Sequence, residues 1–242
     1  MISFSFGKNW MSYLKSMPKQ AVDDAIKDIE GMLGRDFVRG KRVIDIGSGS
    51  GIHSLGFHKL GARSVASFDV DPYSVEATRS VFRSAGEPES WTVGHGSILD
   101  EAWVSSLGRF DIVYSWGVLH HTGAMWRAVD NAARLVEPGG RLWIALYMSG
   151  GQYPAHLALK ERYNRASVIE KRLIEAKEIA RLMYGEARRL RNPLGWNKTT
   201  TRGMNTYHDL VDWLGGLPYE VASVDEVIVR LRQKGFVADR IV

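Results

Sequence analysis

The chain has no cysteine among its 242 residues. That excludes structural disulfides, thiolate metal sites and a cysteine nucleophile, and it fits a reducing compartment. No stretch reaches the ~18 consecutive apolar residues of a membrane-spanning helix. The opening segment MISFSFGKNWMSYLKS has no continuous apolar core of the kind that marks a secretory signal. The expectation is a soluble, cytoplasmic protein with no membrane span. Repeats and low-complexity segments are absent too. No His/Asp/Glu spacing reads as a metal site: His120 and His121 are adjacent and cannot both face one ion from a regular element. What remains is ordinary for one large domain, with 45% hydrophobic residues, enough for a packed core.

The informative segment is Val43-Ile44-Asp45-Ile46-Gly47-Ser48-Gly49-Ser50-Gly51. An apolar strand runs into a glycine-rich turn, and a helical pattern follows. Glycines let the backbone approach a flat or extended ligand where Cβ atoms would block it. Open α/β sheets bind ligands at this carboxyl end of the strands. The dinucleotide fingerprint G-x-G-x-x-G requires a third glycine where this chain has Ile52. Asp45, at the strand end, would repel a pyrophosphate and attract an ammonium or sulfonium, as in the amino-acid half of S-adenosylmethionine. The next strand, Ser64 to Asp69, ends in a carboxylate suited to accept both hydroxyls of a ribose. Asp71-Pro72 then opens a helix as N-cap and first helical residue.

Five segments in order carry a family resemblance: VIDIGSGSG (43–51), FDVD (68–71), GSILD (96–100), FDIVYSWGVLHH (110–121) and LVEPGGRLWIALY (135–147). On them the chain resembles the class I, Rossmann-like S-adenosylmethionine-dependent methyltransferases. The resemblance covers roughly residues 41–147. It implies S-adenosylmethionine as cofactor and S-adenosylhomocysteine as product. It also implies cofactor contacts from Asp45, Gly47, Ser48, Gly49, Gly51, Asp69, Val70, Ser97, Ile98 and Trp116. Where Ser97 stands many relatives have Asp, so the adenine amine falls to Ser97 or to Asp100.

The expected fold class is α/β: a doubly wound, mostly parallel sheet with helices on both faces, plus a helical insertion between strands five and six. Residues 1–40 form an N-terminal arm and helix capping the cofactor site. Residues 41–147 form the cofactor-binding core, with strands near 41–46, 64–69, 90–94, 110–116 and 140–147. Residues 148–220 form the insertion, expected as a substrate lid, with one long helical stretch over about 156–190 that contains a break. Loops are marked by Pro193-Leu194-Gly195 and Thr199–Thr201. Residues 221–242 supply the last helix, begun by the Ser223/Glu226 capping box, and a sixth strand over 236–242. The family's seventh strand has no sequence left to form it. That leaves a chain truncated before this strand, an open edge, or an edge filled by another segment or chain, and hence a monomer or a homodimer.

For chemistry, His120 and His121 are the candidate catalytic residues, since histidine accepts a proton near neutral pH. The alternative for His121 is a side-chain bond that fixes its loop. Candidate acceptor-binding residues are Trp10 and Tyr13 in the aromatic arm, and Arg202, Tyr207, His208, Asp212 and Trp213. For these the alternatives are core packing, helix capping or surface ion pairs. Between residues 158 and 202 twelve basic residues face five acidic ones. This is either a solvated helical face of Glu/Lys/Arg pairs or a surface for an anionic substrate. The leading expectation is methyl transfer to an oxygen or nitrogen of a small molecule. An RNA methyltransferase using the basic insertion is the alternative, and a non-catalytic cofactor-binding scaffold is the third reading.

Overall fold

The computed structural model describes residues 4–18, 20–197 and 205–242. Five strands form one sheet in the order β3-β2-β1-β4-β5, all parallel: β1 (Arg42–Ile46), β2 (Ser64–Asp69), β3 (Trp91–His95), β4 (Phe110–Trp116) and β5 (Val136–Ala145). Strand residues alternate between two cores because successive side chains point to opposite faces. On β1, Ile44 and Ile46 join Val113 of β4 and the helices α6 (Glu101–Ser106) and α7 (Met125–Arg134). Val43 instead joins Ile112 and Tyr114 with α2 (Ala21–Leu33), α4 (Ile52–Lys59) and α5 (Pro72–Ser84). The doubly wound core is therefore as expected.

Two boundaries differ. β5 starts at Val136 rather than near 140, because Val136 already pairs with Phe110. The ladder then skips Glu137 to Gly140, resuming at Ile112 with Arg141. The sixth strand expected over 236–242 does not form. Helix α11 (Val224–Arg232) ends at Gly235, and the tail turns toward α2. There Arg240 donates to the Gly31 carbonyl, and Arg141 pairs with Asp239 at 3.5 Å. Side-chain contacts, not a ladder, hold it. Among the described residues the sole pairing past β5 is a parallel bridge between Met148 and Ala222.

The segment after β5 is helical: α8 (Tyr153–Arg165), α9 (Val168–Arg188) and α10 (Thr206–Gly215). The long helical stretch breaks at Ala166-Ser167, where Ser167 caps α9 in a reciprocal box with Glu170. Without a sixth strand these helices follow the sheet rather than interrupting it. The arm is itself helical: α1 (Phe6–Leu14) leads into α2 and then the single turn α3 (Arg35–Val38). Asn9 on α1 donates to the His208 carbonyl and to Asp212 Oδ1, both at 2.8 Å, tying α1 to α10. Among the described residues no helix is long and apolar enough to cross a membrane.

Candidate active site

A cavity of about 910 Å³ opens at the carboxyl ends of the strands. Its near end is built by the turn after β1. Gly47 and Gly49 have φ of 73° and 54°, left-handed values that L side chains resist. A Cβ on Gly47 would overlap Val118, and one on Gly49 would lie 2.8 Å from the indole nitrogen of Trp10. Asp69, at the end of β2, accepts from the Gly49 N–H at 3.1 Å and from the Asp71 N–H at 2.9 Å. Burial pushes its carboxyl up to about 6, against those backbone hydrogen bonds. Asp71 caps α5 as expected; its other oxygen accepts from Ser5 Oγ at 2.8 Å and from the Gly7 N–H at 2.9 Å, pinning α1 beside the ribose-side loop. Ser97 and Ile98 line the same end. Asp100 does not: its carboxylate accepts from Trp103 N and caps α6.

Asp45 is placed differently from expectation. It borders a separate hollow of about 30 Å³ under the glycine turn, shared with Ser48, Gly49 and His53. Ser54 Oγ donates to it at 2.5 Å, Ser67 Oγ donates to Ser54 at 2.7 Å, and Trp91 Nε1 donates to Ser67 at 2.8 Å. Burial raises the Asp45 carboxyl to about 7, with the Asp69 charge adding to it and the Ser54 hydrogen bond opposing. Its charge is thus partly neutralised near pH 7 and turned into a helix-to-strand hydrogen-bond chain. Gly51 borders neither space. It starts α4 against Thr78.

The far end is aromatic. Trp116, His120, His121, Tyr147 and Trp213 line it, with Asp209 and Asp212 from α10, while Trp10 stands over the glycine turn. The His120 ring lies 4.1 Å from that of Tyr147 and 4.3 Å from that of His121. His121 Nδ1 donates to the Pro218 carbonyl at 2.6 Å. This is the loop-fixing bond weighed for it above. Three expected acceptor residues are not on the wall. Tyr13 is fully buried and packs edge-on to His208 at 5.5 Å. His208 sits at the start of α10, its Nδ1 2.8 Å from Asn205 Oδ1. Tyr207 donates to Glu175 at 3.0 Å and joins Arg172 in an ion-pair cluster. Arg202, Lys198 and Thr199–Thr201 lie outside the described residues. The basic run is largely a face of i,i+3 pairs: Arg172–Glu175, Arg181–Glu178 and Arg189–Glu186.

Sequence reasoning missed Lys160. It is fully buried on α8 behind the aromatic end. Its ammonium lies 4.7 Å from the Trp213 ring, 4.6 Å from Tyr219 and 5.6 Å from Tyr147, and donates to the Trp213 carbonyl. Burial lowers its pKa to about 7, with Asp212 opposing. Nothing in a lysine within a basic run distinguishes it from its solvated neighbours. Tyr147 and Asn9 were also missed. Tyr147 follows β5, and Asn9 sits on an arm whose partner is 199 residues away.

The glycine cradle, the carboxylate at the end of β2 and the cavity wall at Ser97 and Ile98 fit an adenosine with an aminoacyl tail. Residues 17–188 match the family described as a methyltransferase domain. The chain belongs to the class I, Rossmann-like S-adenosylmethionine-dependent methyltransferases, and S-adenosylmethionine is the cofactor of that family. Among similar curated proteins is a ribosomal protein L11 methyltransferase of Bacillus cytotoxicus, 32% identical over 143 residues. That match covers 59% of this chain and 40% of the relative. A tRNA U34 carboxymethyltransferase of Methylococcus capsulatus is 30% identical over 51% of this chain and 37% of its own. A ubiquinone biosynthesis O-methyltransferase of a Methylobacterium species is 32% identical over 47% of this chain and 43% of its own. The matches thus span well under half of these relatives. An O-methyltransferase family protein of Burkholderia thailandensis shares the fold. Its TM-score is 0.54 at 17% identity, over 91% of this chain and 55% of that one.

Proposed function

We propose that this chain transfers a methyl group from S-adenosylmethionine to an oxygen or nitrogen of a small-molecule acceptor. The supporting observation is one continuous cavity with two chemically distinct ends. The glycine and Asp69 end suits the cofactor, and an aromatic chamber roofed by α1 and α10 suits an acceptor. Its volume of about 910 Å³ lies within the ~300–1,000 Å³ of sites that enclose small molecules. When bound, the cofactor would supply an electrophilic methyl on a sulfonium, and the acceptor would give up its proton to a base of the protein.

The protein's part is positioning and proton handling. Asp69 accepts the ribose hydroxyls. Gly47 and Gly49 admit the tail, and Ser97 and Ile98 border the adenine. His120, on the cavity wall, takes the acceptor proton. His121 holds the loop after β4 through its bond to Pro218. Asp212, fixed by Asn9, orients the acceptor's donor group.

Calorimetric titration with S-adenosylmethionine and S-adenosylhomocysteine, followed by acceptor screening, tests this reading. Binding of both is expected, with His120→Ala retaining that binding and losing turnover. Binding without turnover on any small molecule, but with turnover on RNA, would replace the acceptor class. Cofactor binding with no turnover on either would favour the scaffold role.

A further inference from the structure

The outer face of α9 carries an apolar stripe that the described residues leave exposed. Ile169, Leu173, Ala176, Ala180 and Tyr184 recur at spacings of four, three, four and four, and all five are exposed. Ile169 is 75% accessible, Leu173 65% and Tyr184 67%. Of the chain's fourteen large exposed apolar side chains among the described residues, seven lie in the short stretch from Val168 to Leu194. The inner face is occupied: Ile174 packs with Tyr163 and Leu214, and Glu175 accepts from Tyr163 at 2.7 Å. So α9 is committed on one side and unpartnered on the other.

Charge is sorted across the same helix. The acids that pair along it are drawn inward, with Glu175, Glu178 and Glu186 side chains only 7%, 13% and 13% exposed. Their partners Arg172, Arg181 and Arg189 project outward at 67–70%. Lys177 and Arg188 are exposed beside the stripe as well. A narrow apolar stripe with basic flanks is the pattern of a helix lying in a membrane interface. A second copy of this face is disfavoured, since pairing in either direction would set basic flank against basic flank. Nucleic acid would satisfy the flanks and leave the Ile169 and Leu173 side chains without a use.

We propose that the outer face of α9 docks on an anionic lipid surface, with Ile169, Leu173 and Tyr184 entering the headgroup boundary and the flanking arginines and lysines meeting lipid phosphates. This goes beyond the methyl-transfer reading and does not depend on it.

The test is sedimentation of the full chain with phosphatidylcholine vesicles, with and without phosphatidylglycerol, at low and high salt. The expected result is binding to the anionic vesicles that weakens with salt. It should fall about tenfold or more in the double variant Ile169→Glu/Leu173→Glu, and less in Lys177→Gln/Arg188→Gln. All four substitutions sit on the exposed face, so melting temperature and cofactor binding should be unchanged. Equal sedimentation with neutral and anionic vesicles, or none with either, overturns the proposal. So does a wild-type dimer in light scattering that the Ile169→Glu/Leu173→Glu variant turns into a monomer, since a second copy would then be the occupant. Anionic binding that the double variant leaves intact also overturns it, as would tighter, equally salt-sensitive binding to RNA.

Discussion

Replacing Asp69 with Asn should make the ligand-free protein more stable while removing cofactor binding. The carboxyl sits at the cavity wall with its pKa raised from 3.8 to about 6, chiefly by burial. A raised carboxyl binds more protons folded than unfolded between those values. Its stability contribution is therefore lost as pH rises from about 4 to about 6, and the full penalty stands at pH 7. Two units at ~1.4 kcal/mol each give an upper limit of ~3 kcal/mol. The side chain is part-exposed, which reduces this. The amide also has one acceptor oxygen for two backbone N–H donors, at a cost of ~1 kcal/mol. A net gain of ~1 kcal/mol remains, or ~2–4 °C in melting temperature for a chain of this size. Binding moves the other way. Losing charge-assisted acceptance from two ribose hydroxyls, at ~1.5 kcal/mol or more each, weakens the cofactor by ~100-fold or more. Thermal melts without cofactor at pH 4.5 and 7, with calorimetry at pH 7, read both effects. The variant's advantage should appear at pH 7 and shrink at the lower pH. An Asp69→Asn protein that is less stable at pH 7, or that binds S-adenosylhomocysteine as wild type does, would refute the argument.

Gly49→Ala should cost ~1–2 kcal/mol through its left-handed φ of 54°. It should also weaken the cofactor about tenfold, because the new methyl displaces the Trp10 indole from the turn. Unchanged affinity by calorimetry would show that Trp10 does not close this end. Lys160→Met tests the buried ammonium. With its folded pKa lowered from 10.5 to about 7, wild-type stability should rise as pH increases from 7 toward 10.5. The methionine variant should lose that part of the slope in urea melts at both ends of the window. A slope identical to wild type would mean that Lys160 is charged and solvated in solution.

The glycine turn at Gly47 and Gly49 and the carboxylate of Asp69 were legible because each motif, VIDIGSGSG and FDVD, is local, and backbone geometry decides what those glycines permit, whereas Asp45 and Gly51 of the first motif lie off the main cavity. The segment FVADRIV reads as a strand by alternation and propensity, yet it forms none. The outer edge of β5 is open to it, yet side chains hold the tail instead, Arg240 on the Gly31 carbonyl of α2 and Asp239 on Arg141 of β5. Tyr13 and His208 looked like acceptor groups and became core because each buries its ring against the other. Lys160 looked solvated and became the most enclosed lysine among the described residues, since the three rings around it come from the segment after β5, from α10 and from the segment after α10. None of these outcomes has a local signal.

The proposed acceptor end is built partly from inside and partly from outside the segment that matches the family. The family match spans residues 17–188. The roof lies outside it: α1 at Phe6–Leu14, α10 at Thr206–Gly215, and the Leu217-Pro218 turn that receives the His121 bond. Inside the match lie the glycine turn, Asp69, Ser97, Trp116, the two histidines and Tyr147. The relatives named for a ribosomal protein, a tRNA and ubiquinone biosynthesis are each 30–32% identical to this chain over 47–59% of its length, so that likeness does not single out an acceptor. On the proposed reading the acceptor would be chosen where Asn9 ties α1 to α10 and where Trp213 and Tyr147 line the cavity, so Asn9→Ala should alter acceptor preference in a turnover screen while leaving S-adenosylhomocysteine affinity at the Asp69 end intact.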